Sequence, residues 1–251
     1  MIDFEMAPLE LGFTPGDAVI VTGAGSGIGR ATALGAARCG LTVAAWDIDR
    51  AAVTETVDAI VAAGGNAVAT VVDVGRDDAV AEGIDGLAPL GTPRHLVNNA
   101  GPAADRALAF DEAVSLCIGS MRRVTEAWLA LSPGPGATVV NLSSIAGTTI
   151  ATDSDWYVAS KAGIAGYTRY LAVKRVDQCR ANAVAPGIVD TPRIQDFARS
   201  PLGQGLLGRV PLGRMASPHE IANVILFLLA PLSSYVNGAV LVADGGTTLT
   251  Q

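Results

Sequence analysis

The chain has 251 residues; 50% are hydrophobic, 16% are charged and the net charge is −7. This composition is too apolar for a disordered protein, and the absence of a basic cluster argues against a nucleic-acid partner. Three cysteines without CxxC spacing indicate reduced thiols, so we expect a cytoplasmic protein. The first residues do not resemble a signal peptide, and the longest apolar run, residues 221–230, is too short to span a membrane. We predict no metal site.

Short apolar strands alternate with helices along the chain. Such strands form parallel sheets that helices cover on both faces, so we predict an α/β fold with a doubly wound, seven-stranded parallel sheet. We expect one domain over residues 1–251, with an N-terminal extension at residues 1–13. The predicted strands are 17–22, 42–46, 67–72, 95–98, 138–142, 180–184 and 239–242, and the predicted helices are 27–39, 50–63, 77–87, 110–131 and 155–176.

A glycine-rich segment, Thr22-Gly23-Ala24-Gly25-Ser26-Gly27-Ile28-Gly29, joins the first predicted strand to the first predicted helix. Glycine permits positive φ and lets the backbone approach a ligand closely. The N-terminus of the helix offers free N–H groups and a positive dipole end to a pyrophosphate. The alternative is a purely structural turn. We predict a dinucleotide site here, and the residues expected to contact the cofactor are Gly23, Ser26, Gly27, Ile28 and Gly29.

Tyr157 and Lys161 are four residues apart, so they share one face of a predicted helix. A nearby ammonium group favours the phenolate form of a tyrosine. Such a phenol can give a proton to a carbonyl oxygen or take one from an alcohol. A solvated helix face is the alternative interpretation of the pair. The glycine-rich segment upstream favours redox chemistry beside a bound dinucleotide.

Further motifs follow the glycine-rich segment in a fixed order. They are Asn98-Asn99-Ala100-Gly101, Tyr157-x-x-x-Lys161, Pro186-Gly187-x-x-x-Thr191 and Asp244-Gly245-Gly246. With them, residues 14–246 closely resemble the short, single-domain branch of the short-chain dehydrogenase/reductases. The resemblance implies a Rossmann fold and a nicotinamide cofactor.

The resemblance also assigns roles to single residues. It implies that Lys161 binds the nicotinamide ribose and that Ser144, three residues before Gly147, is the catalytic serine; Ser143 is the reserve choice. Around the cofactor, it implies that Asn99, Ala100 and Gly101 lie at the ribose, that Val189 and Thr191 hold the carboxamide, and that Pro186 and Gly187 also contact the cofactor.

Asp47 ends the second predicted strand, where a carboxylate can accept hydrogen bonds from the adenosine ribose and would repel a 2′-phosphate. Family members that use NADP usually carry a basic residue near Ser26 or just past Asp47. Here Ser26 is neutral and Ile48, which we also expect to contact the cofactor, follows Asp47, so we favour NAD. A helix cap or a solvated acid is the alternative for Asp47. Asp73 and Val74 resemble the adenine contact of the family, although a plain turn fits their spacing nearly as well.

The sequence departs from the family pattern in three segments. Cys117 stands where the family usually has an asparagine that holds a water molecule near the lysine. The segment between Gly101 and Phe110 is short, so one wall of the substrate cleft is expected to be missing or supplied by a neighbouring subunit. Residues 190–214 are also short for the family and resemble a small mobile cover over the cleft.

The sequence thus predicts an NAD-dependent oxidoreductase acting on a secondary alcohol or ketone, in which Ser144, Tyr157 and Lys161 are catalytic. The first alternative is an NADPH-linked reductase of 3-oxoacyl thioesters, and Asp47 argues against it. The second is a dinucleotide-binding protein with weakened catalysis, which is suggested by Cys117 in place of the usual asparagine. The resemblance implies a homotetramer; small apolar residues from 159 to 170 fit such an interface, but they fit a contact within the chain equally well.

Overall fold

The computed structural model describes residues 10–102, 106–149 and 152–250. Residues 1–9 of the expected N-terminal extension and residues 103–105 of the expected cleft wall lie outside these ranges. One parallel sheet has seven strands in the order β3-β2-β1-β4-β5-β6-β7, which confirms the predicted fold class. The strands are β1 (Ala18–Thr22), β2 (Thr42–Asp47), β3 (Ala67–Val71), β4 (His95–Asn98), β5 (Thr138–Leu142), β6 (Arg180–Pro186) and β7 (Val240–Ala243).

Helices cover both faces of the sheet. Two buried clusters show this: one packs Val19, Val21 and Val43 against helix side chains such as Ile225, and the other packs Ile20 and Leu96 on the opposite face. The helices are α1 (Gly27–Arg38), α2 (Arg50–Ala62), α3 (Asp77–Asp85), α4 (Phe110–Val114), α5 (Ser120–Ala130), α6 (Asp155–Lys174), α7 (Gln195–Arg199), α8 (Pro201–Leu207) and α9 (Pro218–Leu229).

The helix predicted over residues 110–131 is interrupted. A π-helical turn, Ser115–Gly119, separates α4 from α5, and Cys117 is buried within it. Periodicity alone does not reveal such a turn, because one extra residue shifts the apolar pattern only slightly. The apolar run at 221–230 is part of α9, whose N-terminus has a complete capping box between Ser217 and Glu220. Within the described residues, no helix is long and apolar enough to cross a membrane.

Candidate active site

Parallel strands place the predicted motifs at one edge of the sheet. Thr22, Asp47, Asn98, Leu142 and Pro186 are the last residues of β1, β2, β4, β5 and β6. β1 pairs with both β2 and β4, so the strand order reverses direction between β1 and β4. The crevice outside such a reversal is where open α/β sheets bind ligands. The glycine-rich segment and the Asn99 segment follow β1 and β4 at this point.

Asn99 and Thr22 tie these two segments together. The Asn99 side-chain amide donates to the carbonyl oxygens of Thr22 and Gly23, at 3.0 and 3.2 Å. The backbone N–H groups of Asn99 and Ala100 both donate to the Thr22 hydroxyl, which itself donates to Val97. Thr22 thus joins the two segments. It begins the glycine-rich motif, but the sequence did not predict this role for its hydroxyl. A Cβ atom on Gly23 would lie 2.7 Å from Asn99 Nδ2, so this approach requires glycine.

The N-terminus of α1 is open toward an anion. Ser26 is its N-cap residue, yet the Ser26 side chain makes no capping hydrogen bond, and the first turn contains no acidic residue. By contrast, the side chains of Asp49 and Ser217 cap α2 and α9. Ile28 and Gly29 belong to this uncapped turn, and a Cβ atom on Gly29 would lie 1.9 Å from the Gly23 oxygen. The cradle therefore fits a pyrophosphate, which would accept hydrogen bonds from the free N–H groups.

The Asp47 carboxylate lies beside this cradle. Asp47 Oδ2 accepts a hydrogen bond from the Gly25 N–H at 2.8 Å, and Oδ1 accepts one from the Asp49 N–H at 3.0 Å. The structure therefore places Asp47 next to the glycine-rich segment; Asp49, not Asp47, caps α2. The neighbouring Ile48 side chain is 66% exposed. Solvent-facing Arg50 follows at the start of α2.

Asp73 and Val74 lie in the turn between β3 and α3. Asp73 Oδ1 accepts a hydrogen bond from the Gly75 N–H at 2.9 Å, as in a local turn. The Val74 carbonyl accepts a hydrogen bond from Arg123 Nη1 at 3.0 Å, which ties this turn to α5. Asp73 and Val74 therefore form a local turn, and this turn leaves the predicted adenine contact open.

The segment after β6 reaches back to the glycine-rich segment. Thr191 packs against Gly27, since a Cβ atom there would lie 3.1 Å from Thr191 Cγ2. Val189 is buried, and the backbone amide of Asp190 donates to the Ala216 carbonyl, which ties this segment to the loop before α9. Gly187 follows Pro186 and contacts Asp244, because an added Cβ atom would lie 2.8 Å from the Asp244 Cα atom. The Asp244-Gly245-Gly246 turn therefore supports the Gly187 side of the cleft.

Lys161 is held at the end of β5 through three contacts. Lys161 Nζ donates to the Leu142 carbonyl at 2.9 Å, and the Lys161 carbonyl accepts a hydrogen bond from the Ser143 hydroxyl at 2.8 Å. A Cβ atom on Gly147 would lie 2.5 Å from the Lys161 carbonyl carbon. Glycine at 147 thus allows α6 to approach the turn that carries Ser144. The spacing between Ser144 and Gly147 identified the serine in the sequence, but it did not indicate this contact with Lys161.

Tyr157 lies one turn before Lys161 on α6, as predicted. Lys161 Nζ is 5.5 Å from the centre of the Tyr157 ring, and the Trp156 ring meets Tyr157 edge-on at 5.6 Å. Ser144 is partly exposed, and among the described residues its hydroxyl oxygen accepts a hydrogen bond only from the nearby Ala146 N–H, at 3.2 Å. That bond leaves the O–H free to donate to another oxygen.

A buried amide and hydroxyl network lies one layer below these groups. Asn98 Nδ2 donates to Thr125 on α5 and to Asn141 on β5, both at 2.9 Å. Asn141 Nδ2 then donates to Thr168 on α6 at 2.9 Å. Because buried polar groups need partners, this chain fixes α5 and α6 against the sheet. It thereby positions the helix that carries Tyr157 and Lys161.

Cys117 lies behind Tyr157 in a small apolar cluster with Ala113 and Trp156, packed against Leu108 and Tyr157. Burial raises the pKa of the Cys117 thiol, against the smaller opposing influences of the Ser160 hydroxyl and the Lys161 charge. The Ser160 hydroxyl faces this thiol without a hydrogen bond of good geometry and is fully buried. The structure therefore gives Cys117 an apolar setting. Among the described residues, no group of three or more His, Cys, Asp or Glu side chains could hold a metal ion.

Known proteins are similar to this chain over nearly its whole length. A family model described as enoyl-(acyl carrier protein) reductase matches residues 23–248. Cis-4-hydroxycyclohexanecarboxylate dehydrogenase of Sinomonas cyclohexanicum is 37% identical, over 91% of this chain and 95% of the relative. The 3-oxoacyl-[acyl-carrier-protein] reductase FabG of Pseudomonas aeruginosa is 32% identical, over 92% of this chain and 97% of the relative.

Solved structures share the fold as well. A 7α-hydroxysteroid dehydrogenase complexed with NADH and 7-oxo glycochenodeoxycholic acid superposes with a TM-score of 0.88 at 30% identity, over 94% of this chain and 96% of that one. A Beutenbergia cavernae structure with bound NADP gives a TM-score of 0.87 at 32% identity, over 96% and 100%. The chain belongs to the short-chain dehydrogenase/reductase family and is an NAD(P)-dependent dehydrogenase or reductase acting on CH–OH groups.

Proposed function

We propose that the protein is an NAD(H)-dependent oxidoreductase that interconverts a secondary alcohol and a ketone. The observation that carries the cofactor choice is the Asp47 carboxylate, held beside the glycine-rich segment by the Gly25 and Asp49 N–H groups. There it would accept hydrogen bonds from ribose hydroxyls and repel a 2′-phosphate. Secondary alcohols on a ring are supported as a substrate class by the name of the Sinomonas relative.

The residues around the crevice would divide the cofactor between them. The uncapped first turn of α1 would hold the pyrophosphate through Gly27, Ile28 and Gly29. Lys161 would exchange its bond to the Leu142 carbonyl for ribose hydroxyls. The remaining assignments are Gly23 and Ser26 at the phosphates, Ile48 beside Asp47, Asp73 and Val74 at the adenine, Asn99, Ala100 and Gly101 at the cofactor ribose, Val189 and Thr191 at the carboxamide, and Pro186 and Gly187 as further cofactor contacts.

Ser144, Tyr157 and Lys161 would carry the proton chemistry. A bound nicotinamide supplies hydride transfer. The Tyr157 phenol gives its proton to the carbonyl oxygen in reduction, or takes one from the alcohol in oxidation. The free O–H of Ser144 donates to the same oxygen, and the Lys161 ammonium, 5.5 Å from the Tyr157 ring centre, stabilises negative charge on the phenol oxygen.

The second candidate is an NADPH-linked reductase of 3-oxoacyl thioesters. The similarity to the FabG reductase favours it. The position of Asp47 disfavours it, because a carboxylate fixed against the glycine-rich segment would meet the 2′-phosphate of NADPH. The cofactor preference therefore separates the two candidates.

Fluorescence titration with NADH and NADPH tests the cofactor assignment. We expect tighter binding of NADH than of NADPH. We expect Asp47→Ala to reduce the ratio of the two dissociation constants by about tenfold, because one charge-assisted hydrogen bond is lost. Arg50→Ala, an exposed cation three residues away, is the control and should leave the preference unchanged. Tighter binding of NADPH by the unmodified protein would favour the thioester reductase.

We also propose a homotetramer. Tyr170 and Val173, three residues apart on α6, and Val176 just after the helix are 50%, 68% and 64% exposed, so large apolar side chains face outward near the end of α6. Sedimentation equilibrium tests this proposal, and a monomer at micromolar concentration would contradict it.

A further inference from the structure

The glycines of the Gly23–Gly29 segment are needed for different reasons. Gly23 and Gly27 have φ values of +65° and +52°, in the left-handed region that favours glycine. Gly25 is not among the glycines with positive φ. Its backbone would therefore accept another residue, and only the surrounding space restricts the position. A Cβ atom on Gly25 would lie 2.8 Å from the Ala52 Cβ atom and 2.9 Å from Asp47 Oδ2.

Gly25 also makes a direct hydrogen bond to the same carboxylate. Its N–H donates to Asp47 Oδ2 at 2.8 Å, while the Asp49 N–H donates to Oδ1 at 3.0 Å. Each carboxylate oxygen thus has one backbone donor, which fixes the side-chain rotation. A carboxylate has about four acceptor sites in total, so roughly two remain for a ligand. Asp47 is therefore oriented before any ribose arrives.

We propose that Gly25 is a specificity-determining residue that acts through Asp47. This inference rests on the proposed NAD preference. A fixed carboxylate favours NADH over NADPH in two ways. It loses little side-chain entropy when it binds the ribose of NADH, and it cannot rotate away from the 2′-phosphate of NADPH. A methyl group at position 25 would occupy the space of Oδ2, displace the carboxylate and break its bond to the loop. Gly25 therefore influences the preference between NADH and NADPH, whereas Gly23 and Gly27 provide the backbone conformation of the phosphate-binding turn.

A double-mutant cycle tests this inference with NADH and NADPH as probes. The dissociation constants of both are measured for the unmodified protein, Gly25→Ala, Asp47→Ala and the double variant. We expect Gly25→Ala to weaken NADH binding about tenfold and NADPH binding less than about threefold. In the Asp47→Ala background, Gly25→Ala should change the NADH-to-NADPH ratio less than about twofold, since the carboxylate it displaces is gone.

A further variant separates the two steric contacts of position 25. Ala52→Gly combined with Gly25→Ala removes the contact between the two Cβ atoms and keeps the contact with Asp47. It should fold even if Gly25→Ala alone is unstable, and it should retain the narrowed preference. Melting temperatures of all variants show whether a change in binding follows from a loss of folding.

The outcomes distinguish this inference from the proposed function. If the unmodified protein binds NADPH more tightly, the NAD assignment fails, whatever Gly25→Ala does. If the unmodified protein prefers NADH but Gly25→Ala weakens both cofactors equally, the residue serves the phosphates only, and the inference is wrong. An equal effect of Gly25→Ala on the ratio with and without Asp47 would also overturn it.

Discussion

Two adjacent serines after β5 have different contacts and therefore different expected roles. The Ser143 hydroxyl is buried and donates to the Lys161 carbonyl at 2.8 Å, and its N–H donates to Val184. The Ser144 hydroxyl is partly exposed, and its O–H remains free to donate. These contacts favour Ser144, the residue that the family resemblance selects, as the group that meets the substrate oxygen.

Matched alanine variants separate the two roles. We expect Ser144→Ala to lower kcat by about 10²-fold with an unchanged melting temperature, because a donor to the reacting oxygen is lost. We expect Ser143→Ala to cost about 1 kcal/mol of unfolding free energy, because a buried hydrogen bond is lost. Initial rates and thermal unfolding measure both. A large rate loss in Ser143→Ala without a change in stability would reverse the assignment.

Single residues in motifs were predictable because their positions depend on short sequence spacing. Tyr157 and Lys161 share a helix face, and Asp47 ends β2, as their spacing predicts. The contacts between distant segments were not predictable. The Gly25–Asp47 bond, the Thr22–Asn99 bond and the Gly147–Lys161 contact each join segments at least 14 residues apart, and nothing local specifies the partner.

The π-helical turn between α4 and α5 interrupts the helix predicted over residues 110–131. It places Cys117 at 5% exposure against Ala113 and Trp156. A larger asparagine side chain would overpack this buried cluster, even though the neighbouring Ser160 hydroxyl could accept a hydrogen bond from its amide. The structure therefore favours a site rebuilt around the thiol over an impaired version of an asparagine site.

The Cys117→Asn variant tests this interpretation. We expect the free energy of unfolding to fall by about 1–3 kcal/mol, because a larger, polar side chain enters a packed position. We expect no rise in kcat and no change in the solvent isotope effect. The half-buried Cys39, at the end of α1, provides the control Cys39→Asn, which should cost less. A faster enzyme with a smaller isotope effect would show that the thiol weakens proton return.

At the scale of elements, periodicity predicted the seven strands and their parallel direction, because strands buried on both faces are continuous apolar runs. The buried asparagines within them, Asn98, Asn141 and Asn182, were not expected to be structural. Their partners lie on other strands, helices and loops, so that only the assembled sheet reveals them. The helices α7 and α8 also went unpredicted, since each is shorter than two turns.

At the scale of the whole molecule, His95 makes stability depend on pH. The His95 side chain is 2% exposed, and burial, together with the charges of Arg94 and Arg180, lowers its pKa to about 4. Thr138 donates its hydroxyl proton to the Leu229 carbonyl, so it accepts a hydrogen bond from His95 Nδ1 at 2.7 Å. The fold therefore holds the neutral ring with its proton on Nδ1.

The sign of the effect follows from proton binding. Above pH 6.5 both the folded and the unfolded chain hold a neutral His95, and the full stability is present. As the pH falls from 6.5 toward 4, the unfolded chain takes up a proton that the folded chain does not, so stability is lost. We expect a loss of about 2 kcal/mol between about pH 7 and 5.

Urea unfolding at both pH values measures this loss. His95→Asn, whose side-chain amide can replace the Nδ1 donor, should be less stable overall but should lose less stability over the same interval. An equal loss in the variant and the unmodified protein would assign the pH dependence to other groups. The carboxyl groups of Glu220 and Asp244 have lowered pKa values, so their contributions are lost at more acidic pH.

The central claim is that Tyr157 moves the proton when hydride is exchanged with NAD. Its most direct test compares turnover of a panel of cyclic and acyclic secondary alcohols by the unmodified protein and Tyr157→Phe, with the NADH dissociation constant measured on both. We expect the variant to lose about 10²- to 10⁴-fold in kcat. NADH binding should stay near normal, because the phenol oxygen serves the substrate. Near-full turnover of any active alcohol by Tyr157→Phe would contradict the claim.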